Sequence, residues 1–160
     1  EHLFPDQWVY IHAPEYRVGR VQNYKNWSPA MVPVAGMTSL GMEYFVTEGD
    51  DLWMKSDDAM LALARDEAER LGLAPQACYR KGFVFRVPNA YPVYGPGYTE
   101  ALAAIRDFLR GIPNLDLLGR AGLFRFNNSD HALLTGLYGA RNLLGEKHDL
   151  WSLDVDGYDN

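Results

Sequence analysis

A chain of 160 residues is one domain of ordinary size or one piece of something larger, and at that length roughly 70% of the unfolded surface can be buried. Apolar residues make up 48% and charged residues 22%, near the globular average, which excludes wholesale disorder. A net charge of −6, from 21 acids against 15 Lys and Arg, argues against a nucleic-acid partner, whose binders carry basic patches.

The first half reads as strands. Residues 8–12 (WVYIH) are aromatic and β-branched and stop before Pro14. Residues 16–24 alternate loosely, with Tyr16, Val18, Arg20, Gln22 and Tyr24 on one face. Ser28-Pro29, Pro33 and Gly36 punctuate the chain, and a third strand is expected over residues 39–47, closed by Gly49-Asp50-Asp51. Ser56 then offers an N-cap, with Asp57 and Asp58 in a first turn whose dipole favours them. Leu61, Ala64, Ala68 and Leu71 recur at helical spacing, and Gly72 suits the residue just past a helix end. Residues 78–87 read as a fourth strand, ended by Pro88. The expected arrangement is α+β: an antiparallel sheet of about four strands with one packed helix.

The second half changes character. Residues 91–97 (YPVYGPG) form a rigid aromatic loop, and a helix is expected over residues 98–110, with Leu102, Ile105 and Leu109 on one face and Gly111 and Pro113 beyond it. Residues 115–118 are a short apolar step and residues 123–126 read as a short strand. Ser129 is placed to cap a last helix that reaches Leu144 and is ended by Gly145. From Glu146 onward the chain is an acidic tail with two late apolar anchors, Trp151 and Leu153. In that tail Glu146, Asp149, Asp154, Asp156 and Asp159 face only Lys147, whereas residues 110–145 set Arg110, Arg120, Arg125 and Arg141 against Asp116 and Asp130. The local cationic excess points to an anionic ligand or to surface ion pairs.

The last helix carries the most information. Leu133, Leu137, Ala140 and Leu144 form the apolar stripe of a packed helix, while Ala132, Gly136 and Gly139 form a second, very small face. An interior glycine costs about 1 kcal/mol relative to alanine, so a close neighbour is expected there, either a packed helix or a flat ligand. Ahead of it stand Gly119-Arg120-Ala121-Gly122 and Asn127-Asn128-Ser129-Asp130-His131. Glycines let backbone touch a ligand, Arg120 can pair with a phosphate, and a helix start presents free N–H groups to an acceptor. The same residues also read as a plain turn followed by a capped helix.

Residues 119–137 (GRAGLFRFNNSDHALLTGL) resemble the C-terminal flavin motif of the FAD-dependent amine-oxidase superfamily, in particular its protoporphyrinogen-oxidase-like and UDP-galactopyranose-mutase-like branches. Residues 90–94 (AYPVY) are similar to the tyrosine–proline segment ahead of that motif, and residues 18–29 to the sheet of the substrate-side domain, so the likeness covers most of residues 8–145. The resemblance implies that the short strand and last helix return to the nucleotide-binding domain, with the helix amino end at the pyrimidine edge of the isoalloxazine ring. Asn128, Ser129, Asp130, His131 and Ala132 then lie at the flavin, where backbone N–H groups stabilise the negative charge of its reduced form. Gly119, Arg120 and Gly122 would lie near the ribityl and pyrophosphate portion. Related enzymes often carry an acid after the first glycine, where this chain has Arg120.

The dinucleotide signature Gly-x-Gly-x-x-Gly does not occur. Gly95-Pro96-Gly97 is the nearest string, and without a third glycine it reads as a helix-opening turn. The first residue is Glu1 rather than Met, and the chain is expected to be the second half of a flavoenzyme. Residues 1–90 would then be a substrate-side sheet region, residues 91–145 the C-terminal part of an FAD-binding region, and residues 146–160 a tail. The expected parent is an FAD-dependent oxidoreductase acting on a small molecule. Its partner half is an N-terminal Rossmann-type region, and the isolated piece is inactive and prone to self-association. A nucleotide-sugar mutase and a non-catalytic binding module are the alternatives.

Other side chains are read both ways. In such enzymes a lysine near flavin N5 works through a water, a role open to Lys25, which otherwise is an exposed lysine at a strand end. Arg17 and Arg20 would bind an anionic substrate group or pair with Glu15 and Glu43, and Tyr94 with Tyr91 would wall a substrate pocket or simply pack. No catalytic residue stands out. His2, His12, His131 and His148 lack metal-ligand spacing, so no metal is expected. A single cysteine, Cys78, allows no internal disulfide and fits a reducing cytoplasm. No run approaches the ~20 apolar residues of a membrane helix.

Overall fold

The computed structural model describes residues 3–32 and 34–153, and the chain divides into two units, Glu1–Pro88 and Asn89–Asn160. The fold is α+β. In the first unit β1 (Trp8–Tyr10), β2 (Arg20–Asn23) and β3 (Leu40–Glu43) form an antiparallel sheet in the order β1-β2-β3. The register sets Trp8 opposite Gln22 and Tyr10 opposite Arg20 on one side, and Arg20 opposite Glu43 on the other. Alternation along β2 sends Val21 and Asn23 into the interior, where Thr38 Oγ1 donates to Asn23 Oδ1 at 3.1 Å. Arg20 and Gln22 take the opposite face. The strands are shorter than their sequence patterns: Tyr24 already opens a helical turn, α1 (Tyr24–Trp27), so β2 ends at Asn23.

Helix α2 (Asp57–Arg70) follows the sequence signals closely. Ser56 Oγ accepts from the Ala59 N–H at 3.3 Å, and Asp57 and Asp58 occupy the first turn. Gly72 adopts φ +72°, which closes the helix with bonds from Leu73 N–H to Ala68 O and from Gly72 N–H to Glu69 O. Its buried face comprises Met60, Glu67 and Ala68. Glu67 is only 1% exposed, and its carboxylate accepts from the Arg17 N–H (2.5 Å), the Val18 N–H (3.1 Å) and the Tyr44 hydroxyl (2.9 Å). A buried acid thus fastens the approach to β2 onto the helix, with both of its oxygens hydrogen-bonded.

The fourth strand does not form. Residues 76–78 wind a 3-10 turn, and residues 79–87 pair with nothing, so the sheet has three strands among the described residues. The alternation is still present: Phe83, Phe85 and Val87 are exposed, Val84 and Arg86 half-buried. Arg86 holds this stretch against the approach to α2 instead, donating to Trp53 O (3.0 Å), Lys55 O (2.5 Å) and Asp57 Oδ1 (2.6 Å).

The second unit holds α3 (Tyr98–Leu109), the single turn α4 (Gly119–Gly122) and α5 (Ser129–Leu143). The strand expected at residues 123–126 is absent. Arg125 N–H folds back to Arg120 O at 3.0 Å, Leu123 is buried, Phe124 adopts φ +49°, and no strand stands among the unit's described residues to pair with it. Ser129 is the first helical residue of α5 rather than its cap; Asn128 caps with extended backbone and without a side-chain bond. The helix closes at Gly145, where Glu146 N–H reaches Arg141 O at 3.1 Å.

Of the two faces of α5 expected to be covered, the small one meets a neighbour and the leucine stripe does not among the described residues. The leucine stripe is open, with Leu133, Leu137 and Leu144 74%, 49% and 87% exposed, whereas Thr135 and Gly139 are buried. A Cβ on Gly139 would come within 2.8 Å of Leu118, and one on Gly119 within 4.0 Å of Ala132, so residues 118–119 lie against the small face; nothing stands within 4 Å of Gly136. Residues 146–153 belong to this unit. Asn142 and His148 exchange two hydrogen bonds, Leu150 is buried, and Arg125 donates to the carbonyls of Trp151 (2.5 Å) and Leu153 (3.2 Å). Asp154, Asp156 and Asp159 lie outside the described residues. No helix among the described residues is long and apolar enough to cross a membrane.

Candidate functional site

The amino end of α5 and the α4 turn form one assembly. Gly119, at φ +71°, donates its N–H to Thr135 Oγ1 (2.9 Å), and the Thr135 hydroxyl donates to Ala132 O (2.8 Å), which ties the turn to the first two turns of α5. Gly122 lies over Leu117, 3.6 Å from where its Cβ would stand. Arg120 donates to Asn127 O (2.9 Å) and Ala90 O (3.2 Å), and its guanidinium carbon stands 4.9 Å from the Tyr91 ring and 4.8 Å from the Phe126 ring. Those two rings stack at 5.5 Å. Two carbonyls and two aromatic faces therefore engage the cation within its own unit, an arrangement that needs the planar fork of arginine.

Asn128, Ser129 and Asp130 are exposed. Asp130 Oδ1 accepts from the His131 N–H at 2.9 Å and faces His131 Nδ1 at 3.1 Å. The His131 amide, then the ring, hold the Asp130 carboxyl below the usual carboxylate range. Ala132 N–H turns to Asn128 O at 3.3 Å. Among the described residues the Ser129 amide makes no hydrogen bond and the Asp130 amide meets only its own carboxylate, so these are the donors this helix start offers an outside acceptor. Tyr94 lies nearby in the chain's aromatic loop: its hydroxyl accepts from the Phe126 N–H at 2.6 Å, and its ring meets Tyr98 at 4.8 Å and the edge of Phe124 at 5.9 Å. Together with Leu102, Arg106 and Arg125 these rings line an open groove of about 370 Å³.

The remaining sequence candidates belong to the first unit. Lys25 Nζ donates to Met37 O (2.9 Å), beside an open depression of about 650 Å³ walled by Phe4, Asn26 and Pro29. Arg17 pairs with Asp51 (2.8 Å) rather than Glu15; the pair is exposed, raising the arginine's pKa and lowering the acid's. Arg20 pairs with Glu43, whose other oxygen accepts from Gln22. Gly119, Arg120, Gly122 and Ala132 thus meet in one assembly with residues 128–131, whereas Arg17, Arg20 and Lys25 occupy three separate positions, each with its own partner. Among the described residues no group of three His, Cys, Asp or Glu is placed to hold a metal ion.

Sequence reading missed Thr135, the link between α4 and α5, and the Glu67–Tyr44 pair. Burial, then the bond to Glu67, push the Tyr44 hydroxyl well above the ordinary tyrosine value. The signal for Glu67 was present in its position seven residues after Met60 and three after Ala64, on the inward stripe of α2. No protein-family model, curated protein or solved structure matches the chain.

Proposed function

We propose that the chain is the C-terminal portion of an FAD-dependent oxidoreductase of the amine-oxidase type, contributing a substrate-side sheet region and the helix that closes over the flavin. Support comes from the likeness of residues 119–137 to the flavin motif, and from one structural observation that carries the reading. The amino end of α5 is exposed; among the described residues the Ser129 amide has no partner and the Asp130 amide only its own carboxylate, and beside it runs an exposed leucine stripe, Leu133, Leu137 and Leu144. An apolar stripe left open on a helix marks a surface built for a neighbour. FAD, when bound, supplies the electron sink for oxidation of a small-molecule substrate. The chain's part is to offer those two amides to the electron-rich edge of the ring, backed by the Gly119–Thr135–Ala132 link that fixes the helix start. The adenosine and most of the pyrophosphate site would come from an N-terminal Rossmann-type half.

Two residues fit that cofactor less well. Arg120 is engaged by carbonyls of its own unit, and the Asp130 carboxylate adds negative charge where a reduced flavin would need the opposite. These observations favour, as a second reading, a binding module that keeps the fold without the chemistry.

Producing the chain together with the polypeptide encoded immediately upstream tests the proposal. A complex showing stoichiometric FAD by its visible absorption, with the chain alone colourless, is the expected result. Stoichiometric FAD on the chain alone would refute the divided site, and a stable complex without flavin would establish the binding module instead.

A further inference from the structure

The groove between the aromatic loop, α3 and residues 124–125 is lined by two cations and, among the described residues, by no acid. Arg125 commits both Nη groups to the carbonyls of Trp151 and Leu153, and carbonyls leave its charge in place. Arg106 is the odder of the two. None of its N–H donors meets an acceptor among the described residues; Nε is shut in without a partner, whereas the two Nη groups keep contact with solvent. The Trp151 ring stacks on the guanidinium at 4.7 Å and covers one face of it. The acids around the groove are turned elsewhere. Asp107 pairs with Arg110 at 3.0 Å, and Glu100 takes the Thr99 hydroxyl at 2.9 Å. Asp149 takes the Trp151 N–H at 3.0 Å and attracts Arg106 without an ion pair. A buried donor without an acceptor and a cation without an anion mark a place where something is missing.

The lining narrows the ligand. Two uncompensated arginines select an anion. A guanidinium stacked on one face recognises in its own plane, where its fork donates two parallel N–H bonds. With both Nη groups of Arg125 taken, a single fork is on offer, which suits the two oxygens of a carboxylate better than the three of a phosphate. The rest of the lining asks for a flat apolar body. Tyr98 and Phe124 flank Tyr94, their centroids 4.8 and 5.9 Å from its own and their planes tilted by 37° and 79°, with Leu102 beside them. Rings in such settings take a further ring in an offset or edge contact. The groove's 370 Å³ lies at the small end of the range for small-molecule sites, about 300–1,000 Å³, which is room for one ring and a short acid arm.

We propose that this groove binds a small aromatic carboxylate, its acid group on the Arg106 fork and its ring against Tyr94, Tyr98 and Phe124. The site lies within the second unit and does not depend on the flavin reading, which concerns residues 119–122 and 128–132.

Phenylacetate titrated into the full chain tests it, followed by calorimetry and by backbone amide shifts. Saturable one-to-one binding is expected, with shifts confined to residues 94–106 and 124–125. Phenylacetamide, which keeps the shape and loses the charge, binds about tenfold more weakly, as does phenylacetate to Arg106→Gln. Arg106→Lys keeps the charge without the fork and weakens binding about threefold. Arg110→Gln removes an equal charge four residues on and leaves the affinity unchanged. Near-ultraviolet circular dichroism establishes that each variant is folded. No saturation with folded protein would overturn the proposal, as would undiminished affinity for phenylacetamide or in folded Arg106→Gln. So would acetate matching phenylacetate, phenyl phosphate binding more tightly than either, or an equal loss in Arg110→Gln.

Discussion

Replacing Glu67 by glutamine removes a charge from the interior while preserving shape, and it strikes the joint between α2 and the approach to β2. Three donors converge on that carboxylate: the amides of Arg17 and Val18 and the hydroxyl of Tyr44. The glutamine side chain keeps one acceptor oxygen and turns an NH2 toward donors, so one or two of the three bonds are lost and at least one amide is left buried and unpaired. A hydrogen bond to a charged group contributes about 1.5–3 kcal/mol, and an orphaned buried donor costs a similar amount. Glu67→Gln is therefore expected to destabilise the first unit by about 2–4 kcal/mol, and Tyr44→Phe, which removes one donor, by about 1 kcal/mol. Urea unfolding followed by tryptophan emission measures this in a Trp151→Phe background, where the remaining indoles, Trp8, Trp27 and Trp53, all report on the first unit. A glutamine variant within about 0.5 kcal/mol of the parent would refute the claim that Glu67 holds this joint.

Tyr44 adds a pH signature. Its hydroxyl is raised above the ordinary value by burial and by Glu67, so above about pH 10 the unfolded chain releases a proton that the folded chain retains. Stability is accordingly full below that pH and falls as pH rises toward the folded value; Tyr44→Phe flattens this alkaline slope in unfolding measured across pH. The two interior glycines of α5 separate in alanine substitutions followed by thermal unfolding. Gly136 has open space, and Gly136→Ala gains about 1 kcal/mol from helix propensity. Gly139→Ala gains less, because the new methyl must displace Leu118 from 2.8 Å. Arg120→Lys loses the fork that joins Asn127 O and Ala90 O and the stack on Tyr91 and Phe126, and is expected to destabilise the second unit by about 1–2 kcal/mol in the same assay.

What the sequence made legible was local. Ser56 and Gly72 bound α2, and Gly145 closes α5, because caps and left-handed stops are written in the residues beside them. What it obscured was tertiary. Residues 78–87 alternate as a strand should, yet a ladder needs a second backbone, and Arg86 ties the segment to the approach to α2 instead. Residues 123–126 have strand composition but no strand beside them among the described residues. The leucine stripe of α5 is a proper amphipathic pattern, but which face is covered depends on where residues 118–119 come to rest, and they rest on Gly139 and Ala132. Arg120 reads in the sequence as a partner for a phosphate. Its visible partners, however, are two carbonyls and two rings, none of them adjacent in sequence except through the folded loop. The role of Glu67 is not written locally, because its donors lie 50, 49 and 23 residues away in sequence.

Backbone amide shifts of the labelled chain titrated with riboflavin test the amino end of α5 directly. Fast-exchange shifts confined to residues 119–122 and 128–132, largest at the Ser129 and Asp130 amides, are the expected result. Riboflavin brought to its solubility limit without moving those amides, or moving amides elsewhere in the chain instead, would contradict it.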